Sequence, residues 1–300
     1  MDKDVITLID GEKIAVKDFN MWQLRDIGYG QEKKVAKRIL ELPRFSEERK
    51  QLLNVVYAVT NEVPLCLDNG ICSLGADVES IRILKDILEQ RTKKMYGEQV
   101  VYEAGIGIGY AIRMVKSGFQ EVKYYGCDTY VAENVWRLKD EYSDLYISEK
   151  TVYEDLMEMD DNSIDVFYAD NVVEHFIPDE AGAIFDLLNG KMKKGGIVFL
   201  VIPNKLTGPH DVSRFYLPKG TKAEGLHFME MSYGETIRLL LKSGFKPKYI
   251  YINRTIKKDI LYMRNIKRIL TEWLISTSKN VEMRMELMRY DDYVYYILQK

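Results

Sequence analysis

The sequence predicts an α/β fold with a doubly wound, mostly parallel sheet, and three observations predict it. From about residue 97, β-branched and aromatic runs alternate with helical segments, as in a parallel sheet covered on both faces. The apolar run Val100-Val101-Tyr102 leads straight into Glu103-Ala104-Gly105-Ile106-Gly107-Ile108-Gly109, a glycine turn that opens a helix at Tyr110. A second run from Val122 ends on Asp128, which a βαβ unit sets beside the tip of the first strand, across the ligand crevice.

Ahead of the sheet, residues 5–16 read as a small hairpin turning at Asp10-Gly11, because Asp-Gly pairs suit the tight turns that join antiparallel strands. Helices are predicted over 18–27, 30–42 and 46–60, with Pro43 separating the second from the third. Leu52, Val55, Val56 and Val59 form an apolar stripe at helical spacing. Residues 63–75 are rich in turn formers, and 77–94 read as a helix running into the first strand. Residues 1–95 are therefore assigned to a mainly helical N-terminal cap, and 96–300 to the sheet domain.

Within that domain, Gly105, Gly107 and Gly109 allow positive φ and close approach of a ligand to the backbone. The helix behind them offers unpaired N–H groups to a polar ligand. Asp128 supplies a carboxylate able to accept both hydroxyls of a ribose; the plainer alternative is a turn aspartate with a local hydrogen bond. Further on, Gly195–Asn204 reads as a fifth strand, Met231–Ser243 as a helix, Phe245–Asn253 as a sixth strand and Asp292–Leu298 as a seventh. Between the last two lies an insertion over about 256–290. Its apolar stripe includes Ile260, Met263 and Leu270, and basic residues such as Lys257 and Arg264 flank it. We read it as a helix packed on its own domain, with the charges on the solvated face.

Four ordered segments resemble the class I S-adenosylmethionine-dependent methyltransferases. They are the glycine turn, Asp128, the stretch from Asp155 through Asp161-Asn162-Ser163-Ile164-Asp165 to Val172-Val173-Glu174-His175, and Gly195–Asn204. The resemblance spans about residues 97–255 and is nearest to the small-molecule group that includes quinone-biosynthesis and glycan-associated enzymes. It implies a Rossmann-like sheet of seven strands with an antiparallel last strand, S-adenosyl-L-methionine as methyl donor and S-adenosyl-L-homocysteine as product. It also implies a cofactor site of Glu103, Gly105, Gly107, Gly109, Asp128, Thr129, Asp155, Leu156 and Asp170. The segment from Asp155 to Asp165 is shorter than is usual in the family, which loosens the assignment of Asp155 to the adenine.

In this fold the loops after the fourth and fifth strands face the methyl group, which singles out the stretch from Pro203 to Glu230. The three histidines, His175, His210 and His227, all fall in segments expected to line the crevice. His210 is the first candidate for a general base on an oxygen acceptor, since histidine titrates near neutrality; its alternative role is to pin the long loop. His175 is placed beside the cofactor, where it either serves catalysis or shapes the helix start. Asn171, Arg214 and His227 are assigned to the acceptor, with Arg214 clamping a carboxylate or phosphate or pairing with Asp211. A further likeness, to the E-x-x-E-H … H metal-binding pattern of some RNA and quinone O-methyltransferases, has Asn171 in place of its first Glu. No metal ligand is therefore assigned.

Composition narrows the partners. A net charge of −3 gives no footprint for a nucleic-acid backbone, so a small-molecule acceptor is expected. Cys66, Cys72 and Cys127 have no ligand spacing. With no leader-like start and no apolar run near the roughly 18 residues that cross a bilayer, a soluble cytoplasmic protein is expected. The sequence names neither the acceptor nor an oligomeric state. Two rival readings remain. A nicotinamide-dependent oxidoreductase shares the turn and the acid, but explains neither Tyr110, where G-x-G-x-x-G wants a small residue, nor the Asp161–Asp165 and Glu174-His175 segments. A non-catalytic binding protein on the same fold would have no need to keep Glu103, the three glycines and Asp128.

Overall fold

The computed structural model describes residues 5–62, 78–93, 98–252, 255–258, 273 and 293–300. The loop expected at 63–75 and most of the insertion expected at 256–290 lie outside these residues. Strands β1 (Val5–Thr7) and β2 (Lys13–Ala15) form the N-terminal hairpin. Helix α1 (Met21–Glu41) is continuous where two helices were expected. Gly28 and Gly30 each cost about 1 kcal/mol in a helix, but Tyr29 between them stacks on Tyr216 with ring centroids 4.2 Å apart. Burial of Leu24, Val35 and Ile39 on one face also outweighs the local penalty. Asn20 and Gln23 close a capping box at its start, and the helix stops at the residue before Pro43.

Helix α2 (Glu47–Glu62) packs back on α1. Its residue Val56 shares a core with Val35, Ala36 and Ile39 of α1 and with Ile177, Leu226 and Phe228 from far along the chain. Arg49 on α2 is almost fully buried and pairs with Asp179 at 2.9 Å and Glu180 at 2.6 Å. The two N-terminal helices are thus fastened to the sheet domain by apolar contact and by a buried ion pair.

The remaining elements run in order. They are α3 (Val78–Thr92), β3 (Val100–Ala104), α4 (Tyr110–Lys116), β4 (Lys123–Asp128), the short α5 (Glu133–Trp136) and α6 (Leu138–Glu141), β5 (Leu145–Glu149) and α7 (Val152–Glu158). Next come β6 (Ile164–Asp170), α8 (Pro178–Lys191), β7 (Met192–Pro203), α9 (Tyr233–Lys242), β8 (Lys246–Ile252), β9 (Thr255–Lys258) and β10 (Tyr293–Gln299). Eight strands join in the order β5-β4-β3-β6-β7-β10-β8-β9. Neighbours from β5 to β7 are parallel, and β10 is antiparallel to both β7 and β8.

Two boundaries differ from the sequence reading. Residues 256–258, expected to begin a helical insertion, instead form with Thr255 an eighth strand antiparallel to β8; the pairing satisfies backbone groups that an open β8 edge would leave exposed. Helix α3, assigned to the cap, belongs to the sheet. Ile81, Ile83, Leu84, Ile87 and Leu88 bury against Val101, Tyr124, Val166 and Phe199, together with α4. The opposite face is covered by α8 and α9, through Ile184, Phe185, Leu188, Ile237 and Leu240. Strand order reverses between β3 and β6, and a crevice opens there at the carboxyl ends of the strands.

Candidate active site

The glycine turn lies at the carboxyl end of β3. Gly105, Gly107 and Gly109 all have positive φ, at 71°, 48° and 72°. At Gly105 a Cβ would stand 2.3 Å from Val172 Cγ2, so the turn has no room for a side chain there. The register sets Ala104 beside Cys127, which brings the turn level with Asp128 at the end of β4. Gly107 N–H donates to Asp128 Oδ2 at 3.0 Å. The other oxygen meets long contacts from the Tyr130 amide, 3.4 Å, and from the Thr129 hydroxyl, 3.5 Å. A carboxylate has about four lone-pair positions, so Asp128 retains acceptor capacity. Burial pushes its pKa up, against the pull of the Gly107 and Tyr130 amides.

Asp128, Gly105, Gly107, Thr129 and Asp170 line one cavity of about 700 Å³. Glu103 does not line it. Its buried carboxylate accepts from Tyr124 Oη at 2.8 Å, below the turn. Burial, with smaller contributions from Asp170 and Asp128, raises the Glu103 pKa to about 8. Asp170 at the tip of β6 accepts from Tyr168 Oη at 3.0 Å, from Asn171 Nδ2 at 2.8 Å and from Ser80 Oγ of α3. Asn171 itself lines the cavity, with φ of 54°.

Asp155 and Leu156 lie apart from the cavity lining. Asp155 accepts from Ser148 Oγ, and Leu156 is fully buried in the core. The reason is helical: Thr151 and Glu154 form a capping box, α7 starts at Val152, and its fourth and fifth residues turn toward the sheet. Thr151, Val152 and Tyr153, at the start of that helix, line the cavity in their stead. The Lys150 amide donates to the Asp128 carbonyl at 2.9 Å, which ties this tip to the end of β4.

His175, His210, His227 and Arg214 line the same cavity. His210 Nε2 lies 3.1 Å from the Asn204 carbonyl and 3.0 Å from Thr207 Oγ1, and its amide donates to Glu230 Oε1 at 2.6 Å. A carbonyl only accepts, so Nε2 carries the ring proton and the lone pair is on Nδ1. Asp211 accepts from the amides of Ser213 and Gly225, both at 2.9 Å, and caps the turn rather than pairing with Arg214. The Arg214 guanidinium lies over the Phe215 ring at 4.8 Å.

His175 Nδ1 faces the Leu226 carbonyl at 3.1 Å, and burial lowers its pKa to about 3. His227 Nδ1 is 2.7 Å from Glu230 Oε1. Burial holds the histidine down and the acid up, so this contact is a hydrogen bond between groups that resist charging. The two imidazoles meet edge to face, 4.6 Å between centroids, and Tyr57 of α2 packs on His175 at 5.8 Å. Glu174 is fully buried, its carboxylate oxygens have no hydrogen-bond partner on another residue, and burial pushes its pKa well up.

Sequence reasoning expected the N-terminal cap to cover the site but named none of its residues, which come from α1, α2 and the loop between them. Glu32, Phe45, Ser46, Lys50, Leu53 and Tyr57 all line the cavity. Phe45 stacks on Tyr153 at 4.1 Å and Lys50 pairs with Glu154 at 2.7 Å, closing the cavity over the start of α7. Leu53 and Tyr57 are one turn apart on α2, a spacing indistinguishable from an ordinary core stripe.

No protein-family model matches this sequence, and no curated protein matches it. Solved structures do. The Burkholderia thailandensis 1,6-didemethyltoxoflavin N1-methyltransferase, with 1,6-didemethyltoxoflavin and S-adenosylhomocysteine bound, matches over 86% of this chain and 92% of its own, at 13% identity and a TM-score of 0.52. This chain has the class I methyltransferase fold. The [4+2]-cyclase SpnF is also similar, over 84% of this chain and 96% of its own, at 14% identity and a TM-score of 0.52. At such identities the likeness establishes the fold, and a methyltransferase fold that also serves a cyclase leaves the reaction to be argued from the site.

Proposed function

We propose that this chain is an enzyme that transfers a methyl group from S-adenosyl-L-methionine to a small or medium-sized acceptor. The observation that carries the reading is the Asp128 carboxylate, anchored on the Gly107 amide at 3.0 Å with acceptor capacity left over, at the edge of a cavity of about 700 Å³. Those residues fit the cofactor: Asp128 would take the ribose hydroxyls, the glycine turn would give the backbone its close approach, and Thr151–Tyr153 would flank the adenine. Asp170 and Asn171 offer polar groups to the amino-acid end. When bound, the sulfonium supplies an electrophilic methyl group, so the protein chiefly needs to align donor and acceptor, worth roughly 7–11 kcal/mol.

The residues of α1 and α2 that close the cavity exclude water and shape the acceptor's place, which gives the N-terminal helices a part in selectivity. The oxygen acceptor expected from the sequence rested on His210 as base. That ring is bonded within its own loop, to Asn204 and Thr207, which supports the pinning role over proton transfer. Among the described residues no helix is long and apolar enough to cross a membrane. The test is incubation of the full chain with methyl-labelled S-adenosylmethionine and a small-metabolite extract. Label should pass to a small molecule as S-adenosylhomocysteine forms; binding of the donor without any transfer would support the non-catalytic alternative.

A further inference from the structure

We infer that the acceptor is an amine whose protonated nitrogen is received by Glu174, His175 and His227. The inference rests on the methyl-transfer reading and names its substrate class. One carboxylate oxygen of Glu174 and one ring nitrogen of each histidine lie within 4.8 Å of one another. His175 Nδ1 faces a carbonyl and must carry its proton there, leaving Nε2 as a lone pair. His227 Nδ1 is likewise committed, to Glu230 Oε1. Neither oxygen of the fully buried Glu174 has a partner on another residue, nor does Glu230 Oε2. Hydrogen-bond acceptors thus converge, and among the described residues no lysine or arginine forms an ion pair with either glutamate. A buried carboxylate in such surroundings calls for a cation.

The spacing admits an ammonium. A nitrogen donating to three acceptors at about 2.9 Å holds them about 4.7 Å apart, inside the 4.8 Å within which these atoms lie. All three residues line the cavity that also reaches Asp128, so the nitrogen shares a chamber with the methyl donor. An ammonium has no lone pair, and the Glu174 carboxylate that receives it is placed to take one proton. The neutral amine then turns its freed pair from Glu174 to the methyl carbon, and the N–C bond forms as the C–S bond breaks with its electrons staying on sulfur. The products are an N-methylammonium, S-adenosylhomocysteine and a protonated Glu174.

The test uses the full chain saturated with S-adenosylhomocysteine, probed by calorimetry and thermal shift. Methylamine, benzylamine and putrescine are each compared with the hydroxyl analogue, alongside magnesium, manganese and zinc chlorides. Benzylamine or putrescine should bind saturably while the alcohol analogue does not. Glu174→Gln should lower that affinity at least tenfold and leave S-adenosylhomocysteine affinity within twofold, which shows that the variant is folded. His227→Gln provides a second variant with the same expected loss. Equal binding of amine and alcohol, binding of neither, or a Glu174-dependent affinity for a divalent metal would each overturn the inference. Failure of the wild type to bind S-adenosylhomocysteine would strike the methyl-transfer reading instead.

Discussion

Replacing Arg49 with methionine tests how α2 is held over the cavity. The Arg49 side chain is 3% exposed and bonds Glu180, itself 11% exposed, at 2.6 Å. Its Nε and Nη2 donate to the carbonyls of Ile39 and Leu42 at 3.1 and 2.7 Å. The bond to Asp179 counts for less, because that carboxylate is 51% exposed and solvent screens it. Removing one partner of a buried pair costs about 3–5 kcal/mol. Here Phe45 N–H still reaches Glu180 Oε1 at 2.7 Å, which places the loss near about 3 kcal/mol. Urea denaturation of Arg49→Met, Glu180→Gln and the double variant should show a double loss at least about 1 kcal/mol smaller than the sum, since the second change removes the orphaned charge. A single-variant loss below about 1 kcal/mol, or strict additivity, would refute the claim that this pair fastens the N-terminal helices.

Two further outcomes are expected. Folding raises the Glu103 pKa from 4.5 to about 8, so the folded state binds that proton more tightly and its contribution fades as pH climbs through this window. Buried His175, lowered to about 3, acts oppositely below 6.5, so the two slopes oppose each other between 4.5 and 6.5. Between pH 6.5 and 8, Glu103→Gln should flatten the fall in stability by up to about 1.4 kcal/mol per pH unit, and an unchanged profile would rule out a protonated Glu103. His210→Ala should lose about 1–2 kcal/mol of stability with S-adenosylhomocysteine affinity near wild type; wild-type stability with abolished turnover would restore it as a base.

What the sequence revealed follows the range of the forces involved. The strand, glycine turn and helix from Val100 to Lys116 are dictated locally, and Asp128 follows from a single βαβ unit, so both were legible. Asp155 was misplaced because one capping box, Thr151 to Glu154, sets which residues of α7 face the cavity. The approach of Glu174 to His227 depends on a connection of some fifty residues returning to the sheet. Phe45 and Tyr57 reach the site only because α2 docks through Arg49 and the core shared with Leu226 and Phe228. None of these contacts has a periodic or local signature. The continuity of α1 through Gly28 and Gly30 is likewise decided by Tyr29 stacking on a residue almost two hundred positions away.

The central claim is that Asp128 grips the ribose of an S-adenosyl nucleoside at the glycine turn. Isothermal titration of S-adenosylhomocysteine into the wild type and Asp128→Ala, with NADH as the comparison ligand, tests it most directly. Saturable binding by the wild type, at least a hundredfold weaker in the variant, and no binding of NADH is the predicted result. Equal affinity of the two proteins for S-adenosylhomocysteine, or tighter binding of NADH, would contradict it.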